Sequence, residues 1–171
     1  MDTDAEREFR DYVAARQDAL LRIAMVLTGH REDAEDLLQA SLTKLALRWP
    51  ALQRQGSPDA YVRKILYHQH ISRWRMTRNR KEYATAELPE RGSSGDLAGE
   101  SALRIALAQA LDRLSSKQRA VLVLRYYEDL PETDAAAILG CSVGTVRSQT
   151  HRALGRLRVL NPDLVALRET V

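Results

Sequence analysis

Hydroxyl, guanidinium and imidazole side chains recur near the C-terminus at spacings that place them on the outside of one helix. Guanidinium groups bind phosphates and guanine edges, and hydroxyl groups hydrogen-bond to bases or to the backbone. These side chains predict contact with duplex DNA through the major groove. The set comprises Thr145, Arg147, Ser148, His151, Arg152 and Arg156. Arg156 is better placed to contact phosphates than bases, and the same holds for Arg158, which lies beyond this set.

The residues just before this set predict the helix-turn-helix that would present it. Pro131 suits the first turn of a helix, and Ala136 is small enough for two helices to cross closely. Gly140 suits a sharp turn, Ser142 can cap the second helix, and Val146 points back to the first helix. An ordinary helical hairpin is the alternative interpretation. The mutual spacing of these residues and the basic second helix favour DNA binding.

A second concentration of basic residues lies in the middle of the chain. Residues 58–82 hold seven basic residues and two acidic ones, whereas residues 83–100 hold one basic and four acidic. A basic block beside an acidic segment predicts a polyanionic partner for one face. A solvated helix surface is the alternative from charge alone.

Composition excludes several other classes of protein. Aromatic residues make up 5% and charged residues 29% of the chain, which favours helical domains with small cores. Cys141 is the only cysteine, so we expect no internal disulfide, no Cys-based zinc site and a reducing, cytoplasmic location. The charged N-terminus is not a typical signal peptide, and no apolar run predicts membrane insertion. We expect no cofactor, no metal site and no catalytic residues, because no nucleophile–base pair or Gly-rich phosphate loop is present.

Hydrophobic periodicity predicts an all-α fold of two small helical domains. Helical patterns run from about Glu6 to Leu27 and from Glu32 to Arg48, where Pro50 is expected to stop the second. A third pattern extends from Pro58 to about residue 82, as one helix or two. We assign residues 6–83 to the first domain, 84–100 to a flexible acidic linker, 101–160 to a second domain and 161–171 to a tail.

Two stretches of the chain together resemble one protein family. The resemblance lies in residues 33–39 and 60–75 of the first domain, and in residues 114–122, 125–130 and 139–148 of the second. On these residues the chain is similar to the extracytoplasmic-function (group 4) sigma factors of bacterial RNA polymerase, in the sigma-70 family, and most similar to an actinobacterial-type subgroup. The resemblance covers residues from about 8 to 158 and implies a sigma region 2-like domain followed by a sigma region 4-like domain.

The resemblance implies that the helix from about residue 33 to residue 49 docks on the β′ clamp helices of core RNA polymerase. The expected docking residues are Asp33, Asp36, Leu37, Gln39 and Lys44. Taken alone, this helix would be an ordinary amphipathic surface helix, and its acidic start would favour the positive end of the helix dipole.

The resemblance also implies that residues 61–80 recognise the promoter −10 element and its melted strand. Basic side chains there can neutralise phosphates, and planar ones can stack on unpaired bases. The expected residues are Arg63, Lys64, Tyr67, His68, His70, Arg73, Trp74, Arg75 and Arg78. For Trp74, packing in the domain core is the alternative.

Three positions depart from the family pattern. His68 stands where members often have Asn, in the region that the resemblance assigns to the −10 pocket. Ala40 stands where an acidic residue is usual, so docking on core polymerase could be weaker. Thr150 replaces an apolar residue, so the last helix could pack differently.

The implied function is that of a sigma subunit that reads −35 and −10 elements and directs promoter-specific initiation. Expected partners are core RNA polymerase, through the β′ clamp helices and the β flap, and promoter DNA; an anti-sigma factor is left open. Two alternatives are a helix-turn-helix regulator acting on an operator without polymerase and a helical protein-interaction module. Steep salt dependence of nucleic-acid binding would distinguish DNA binding from the interaction module.

Overall fold

Helices form all the regular structure in the described parts of the computed structural model, residues 3–83 and 100–162. This confirms the all-α prediction. The predicted linker, apart from Glu100, and the tail after residue 162 lie outside the described residues. The helices are α1 (Thr3–Thr28), α2 (Arg31–Gln55), α3 (Pro58–Tyr83), α4 (Glu100–Asp112), α5 (Ser116–Leu122), a π-helical turn (Val123–Tyr127), α6 (Glu132–Leu139) and α7 (Val143–Leu160). No helix within these ranges is long and apolar enough to cross a bilayer.

α3 is one continuous helix from Pro58 to Tyr83. Of the two alternatives from periodicity, one helix or two, the structure has one. Its start is fixed by Ser57, whose side chain accepts a hydrogen bond from the backbone N–H of Ala60 at 3.3 Å. The basic positions of the block and the planar ones among them therefore lie along one uninterrupted helix.

α2 does not stop at Pro50, and the prediction of an end near residue 48 was wrong. Proline removes one helical hydrogen-bond donor, but burial on either side of it keeps the chain helical. Trp49 is buried, and its ring meets that of Phe9 edge-on at a centroid distance of 5.2 Å. Leu52 packs against the same hydrophobic cluster about one turn further along.

α5 begins at a reciprocal capping box, an arrangement in which a serine and a glutamine three residues later cap each other. The Ser115 side chain accepts from the backbone N–H of Gln118 at 3.2 Å, and the Gln118 side chain accepts from the Ser115 N–H at 3.1 Å. The helix then widens into the π-helical turn, and Glu128 follows as its C-cap residue. Asp129 follows with a positive φ of 53°. This turn aims Glu128 back toward the first domain.

One of the hydrophobic clusters in the described residues joins the two halves of the chain. α5 and the π-helical turn pack on α1, and α5 and α6 pack on α3. Two separate small cores were the expectation from periodicity, and nothing in the residue pattern indicated this junction. Its buried members are Ile23, Ala24, Leu27, Ala34, Leu37, Leu66 and Tyr67 from the first domain and Ala120, Val121, Val123, Leu124, Ala135, Ala136 and Val146 from the second.

Candidate nucleic-acid interface

α6 and α7 form a helix-turn-helix whose turn has the predicted features. Gly140 has a φ of 65°, in the left-handed region that favours glycine, and its position ends α6. Ser142 caps α7 by accepting from the backbone N–H of Thr145 at 3.1 Å. Val146 and Ala136 are buried, so α7 is packed firmly against α6. The orientation of α7 is therefore fixed by packing.

The outer face of α7 presents all the side chains that the sequence predicted for the −35 element. Each of the six is exposed: Thr145, Arg147, Ser148, His151, Arg152 and Arg156. The first turns carry the hydroxyl groups; Ser148 Oγ donates to the carbonyl of Thr145 at 3.0 Å. Such a face can enter a major groove N-terminus first and meet bases before phosphates.

Glu132 contributes to this face, although the sequence pattern did not single it out. Its carboxylate binds the Arg147 guanidinium, with Nη2 2.8 Å from Oε2 and Nε 3.5 Å from Oε1. The hydrogen bond between them lowers the pKa of Glu132 and raises the pKa of Arg147. The Arg147 side chain remains 71% exposed, so its direction is restricted while its outer edge stays open.

The side chains of α3 that were predicted to contact the −10 element divide between surface and core. Lys64, His68 and Arg73 are exposed, and Arg63 is half-buried. The side chains of Trp74, Arg75 and Arg78 lie outside the described ones. Tyr67 and His70, by contrast, are buried. In this arrangement neither ring can stack on a base.

Tyr67 and Arg63 are both held by Glu128, which reaches α3 from the second domain. The Tyr67 hydroxyl donates to Oε1 of Glu128, and Arg63 Nε lies 2.8 Å from Oε2. The Glu128 side chain is only 7% exposed. Burial, followed by the Glu128 charge, raises the pKa of Tyr67 far above its usual value. The carboxylate is therefore shared between a phenol and a guanidinium of the candidate −10 helix.

A second polar contact crosses the junction near His70. The buried Arg119 of α5 donates from Nε to the carbonyl of Val26 at 2.8 Å and from Nη1 to Asp112 at 2.9 Å. Burial and the Arg119 charge lower the pKa of His70 to about 4, although a backbone hydrogen bond with Ser116 opposes the shift. His70 is therefore neutral in this arrangement at neutral pH.

The proposed docking residues on α2 are exposed with one exception. Asp33, Asp36, Gln39 and Lys44 lie on the outer face. Leu37 is buried in the shared core, so in this structure it is not available for docking. The mixture of acidic and apolar residues on α2 did not distinguish the buried face from the exposed one at that position.

Metal coordination has no support in the described residues. No group of three or more His, Cys, Asp or Glu side chains is arranged to hold an ion within residues 3–83 and 100–162. The imidazole of His68, whose Nε2 lies 2.9 Å from the carbonyl of Ile138, is occupied by a backbone contact.

Comparison with known proteins matches both halves of the chain to one family. Residues 12–80 match the model of sigma-70 region 2, and residues 104–157 match that of sigma-70 region 4. The RNA polymerase sigma-E factor of Streptomyces coelicolor is 42% identical over 151 residues, covering 88% of this chain and 84% of that protein. The ECF RNA polymerase sigma factor EcfG of Rhodopseudomonas palustris is 31% identical, covering 88% of this chain and 83% of that protein.

Solved structures show the same architecture. The sigma factor RpoE from Bartonella quintana, in complex with the anti-sigma factor NepR, is 27% identical, with a TM-score of 0.66 over 92% of this chain and 98% of that chain. CnrH, in complex with the cytosolic domain of CnrY, is 25% identical, with a TM-score of 0.57 over 92% of this chain and 90% of that chain. By sequence and by fold, this chain belongs to the extracytoplasmic-function sigma factors of the sigma-70 family, which are transcription initiation factors.

Proposed function

We propose that this sigma factor binds core RNA polymerase and directs initiation by placing α7 on the −35 element and α3 on the −10 element. The observation that carries the proposal is the exposed, hydroxyl- and arginine-bearing face of α7 on a capped helix-turn-helix. A second basic helix, α3, supplies the other half of a bipartite promoter-binding surface.

On the −35 element, the N-terminal half of α7 reads bases and its later turns contact phosphates. Arg147 and Arg152 have the fork geometry that pairs with two acceptors of a guanine edge. Thr145 and Ser148 add hydroxyl groups beside them. Arg156 lies further along the helix and contributes charge rather than base selection.

On the −10 element, α3 captures the non-duplex strand. Lys64 and Arg73 are exposed and can neutralise phosphates, and His68 lies between them on the surface. We include Trp74, Arg75 and Arg78 from the sequence pattern alone. Tyr67 and His70 contribute to strand capture only if the second domain leaves α3.

Core polymerase would dock on α2 through Asp33, Asp36, Gln39 and Lys44, with the second domain on the β flap. We propose residues 6–83 and 101–160 as the two working units, with residues 84–100 as their tether. The sigma factor RpoE is in complex with the anti-sigma factor NepR, and CnrH is in complex with the cytosolic domain of CnrY. An anti-sigma factor is therefore part of the proposal as a partner here too. The chain would act in the cytoplasm and leave all catalysis to polymerase.

In vitro transcription with core polymerase and a genomic fragment library tests the proposal. We expect transcripts that depend on this factor and share two upstream elements separated by a constant spacing. No factor-dependent transcripts, with core polymerase shown active on a control sigma factor, would contradict the proposal. Binding to intact duplex without polymerase would instead support an ordinary operator-binding regulator.

Replacing Arg156 with Ala is expected to weaken promoter binding by the holoenzyme to a similar degree on every sequence. One lost phosphate contact should reduce the slope of log affinity against log salt by about one. Fluorescence anisotropy of a labelled promoter duplex between low and high salt measures this slope. Arg22→Ala, which replaces an exposed arginine on α1, is the matched control and should leave the slope unchanged.

Replacing Asp36 with Ala is expected to reduce retention of the factor on immobilised core polymerase by about three- to tenfold, as loss of an interface charge often does. The chain should still fold, because the ion pair of Asp36 with Arg73, at 3.7 Å, joins two exposed side chains and contributes little to stability. Asp18→Ala, which replaces an exposed acid on α1, serves as the control. Equal retention of both variants would remove Asp36 from the docking surface.

A further inference from the structure

Glu132 and Arg147 lie on different helices of the helix-turn-helix, and packing fixes their two backbones relative to each other. Glu132 is the first residue of α6, and Arg147 directly follows the buried Val146 of α7. Ala136, about one turn after Glu132, is buried in the same hydrophobic cluster as Val146. The meeting of the carboxylate with the guanidinium is therefore built into the packing of the two helices.

The ion pair occupies one particular edge of the guanidinium. Nη2 of Arg147 lies 2.8 Å from Oε2 of Glu132 and Nε lies 3.5 Å from Oε1, so the carboxylate faces the edge formed by Nε and Nη2. A planar guanidinium has another edge, formed by Nη1 and Nη2, which carries two parallel N–H donors. Because the Arg147 side chain is 71% exposed, this second edge is the one left for a ligand.

Two parallel donors match guanine better than they match the other bases. In the major groove guanine presents two acceptors, N7 and O6, whereas adenine presents one acceptor and one amino donor. A guanidinium that is fixed in direction must place one N–H against the adenine amino group, which is unfavourable. An unrestrained guanidinium can instead turn to a phosphate, where it contributes affinity without sequence selection. Base selection therefore depends on the restraint of Arg147 as well as on its charge.

A role confined to the start of α6 is the simplest alternative for Glu132. An acid in the first turn of a helix interacts favourably with the helix dipole, and Asp134 lies in the same turn. However, the Glu132 side chain is only 29% exposed, so the acid is the better-held member of its pair with Arg147. Arg125, which donates to the carbonyl of Leu130, adds a second positive charge near Glu132. These contacts make the carboxylate a fixed anchor for an otherwise mobile guanidinium.

We propose that Glu132 is a specificity-determining residue, which holds Arg147 so that the Nη1–Nη2 edge faces the major groove and selects guanine at one base pair of the −35 element. The proposal rests on the proposed function of α7 at that element. Glu132 acts only through Arg147 and is therefore a positioning residue. Its removal should have two opposite effects: selection for guanine falls, while the released guanidinium becomes available to phosphates on any sequence.

Transcription by the holoenzyme from promoters that carry every base pair at each position of the −35 element tests this role. Arg147→Ala first identifies the base pair at which the preference for guanine is lost. At that base pair, Glu132→Ala should lower the ratio of transcription with guanine to transcription without it by about three- to fivefold, as expected for an exposed ion pair. Glu132→Gln should have a smaller effect, because the amide oxygen still accepts from Arg147. Preferences at the other positions should stay unchanged.

Asp134→Asn is the matched control, because it removes an acid from the same helical turn, where Asp134 Oδ1 lies 3.4 Å from the Thr133 hydroxyl. It should leave the preference for guanine unchanged. The double variant Glu132→Ala/Arg147→Ala should select no less than Arg147→Ala alone, because Glu132 then has no side chain to position. Circular dichroism verifies that the helices of each variant are intact. An equal loss of preference in Asp134→Asn, or a further loss in the double variant, would overturn the proposal.

The salt dependence of holoenzyme binding gives a readout that a purely structural role would not change. On a promoter without guanine at that position, Glu132→Ala should steepen the slope of log affinity against log salt by about one, because Arg147 gains a phosphate contact. The double variant should show the wild-type slope. An unchanged slope in Glu132→Ala would overturn the release of Arg147.

The same transcription assay separates this proposal from the proposed function. Factor-dependent transcription with equal preference for guanine in wild type and Glu132→Ala would overturn the role of Glu132 and leave the proposed function standing. An absence of factor-dependent transcripts in wild type would instead contradict the proposed function, and the role of Glu132 with it.

Discussion

Replacing Arg147 with Ala is expected to lower run-off transcription from a −35-dependent promoter by about five- to 150-fold. A bidentate contact between arginine and a guanine edge contributes about 1–3 kcal/mol of discrimination, which corresponds to this range. The loss should be accompanied by relaxed selection at one base pair of the −35 element. Transcription from a set of promoters with every single substitution in that element measures both effects.

Two further variants define what Arg147 does. Arg152→Ala should cause a comparable loss at a different base pair. Glu132→Gln should cause a smaller loss, because the amide keeps one hydrogen bond to Arg147 but removes the charge that restricts it. Arg158→Ala, further along the exposed face of α7, is the control and should lower activity without changing base selection. Unchanged transcription in both Arg147→Ala and Arg152→Ala would show that α7 is not the recognition helix.

Acidification is expected to destabilise the folded chain through His70. Its pKa is lowered to about 4 here by burial first and by the Arg119 charge second, against an ordinary value of about 6.5 in an exposed state. In the unfolded chain, His70 therefore takes up a proton as the pH falls below about 6.5, while in the folded chain it stays neutral until the pH nears 4. The contribution of neutral His70 to the free energy of unfolding is complete above that pH and is progressively lost as the pH falls toward the lowered pKa.

Between pH 7.5 and pH 5.5, His70 should shift the equilibrium toward unfolding by about tenfold, or about 1.4 kcal/mol. Urea unfolding at both pH values measures the shift. Two other charged groups lie at the site, namely Arg119 and its partner Asp112. The comparison is therefore made against His70→Asn, which removes only the imidazole and should flatten the profile. His68→Gln, at the exposed end of the same junction, should retain it; an equally steep profile in His70→Asn would contradict the assignment.

The helix-turn-helix could be predicted from sequence because its determinants are local. Gly140, Ser142 and Val146 act close to one another along the chain, and each has a backbone or packing requirement that few residues meet. The six side chains of the outer face follow from the helical period once the buried one is known. The end predicted at Pro50 was wrong because the local effect of proline was outweighed by the burial of Trp49, which depends on α1.

The junction between the domains could not be predicted from sequence. Tyr67 and Glu128 are 61 residues apart, and the chain between them includes a polar segment that predicts separation. The aromatic and basic side chains of α3 are compatible with two roles, which are stacking on bases and packing on a second domain. The residue pattern of one helix cannot distinguish these two roles, because the second domain that covers α3 lies elsewhere in the chain. Leu37 shows the same limit on a smaller scale.

The shared core has a consequence for synthesis of the protein on the ribosome. α3 emerges before α5 and α6. The side chains of Leu66 and Tyr67 therefore have no second-domain residues to pack against until the rest of the chain has been translated. About 80 residues separate them from the last of these partners, Val146, and at about 5–20 residues per second that interval lasts several seconds. During that interval the nascent first domain carries an uncovered apolar face. When the second domain folds onto the first, it covers this apolar face, and the face is then no longer available for binding by chaperones.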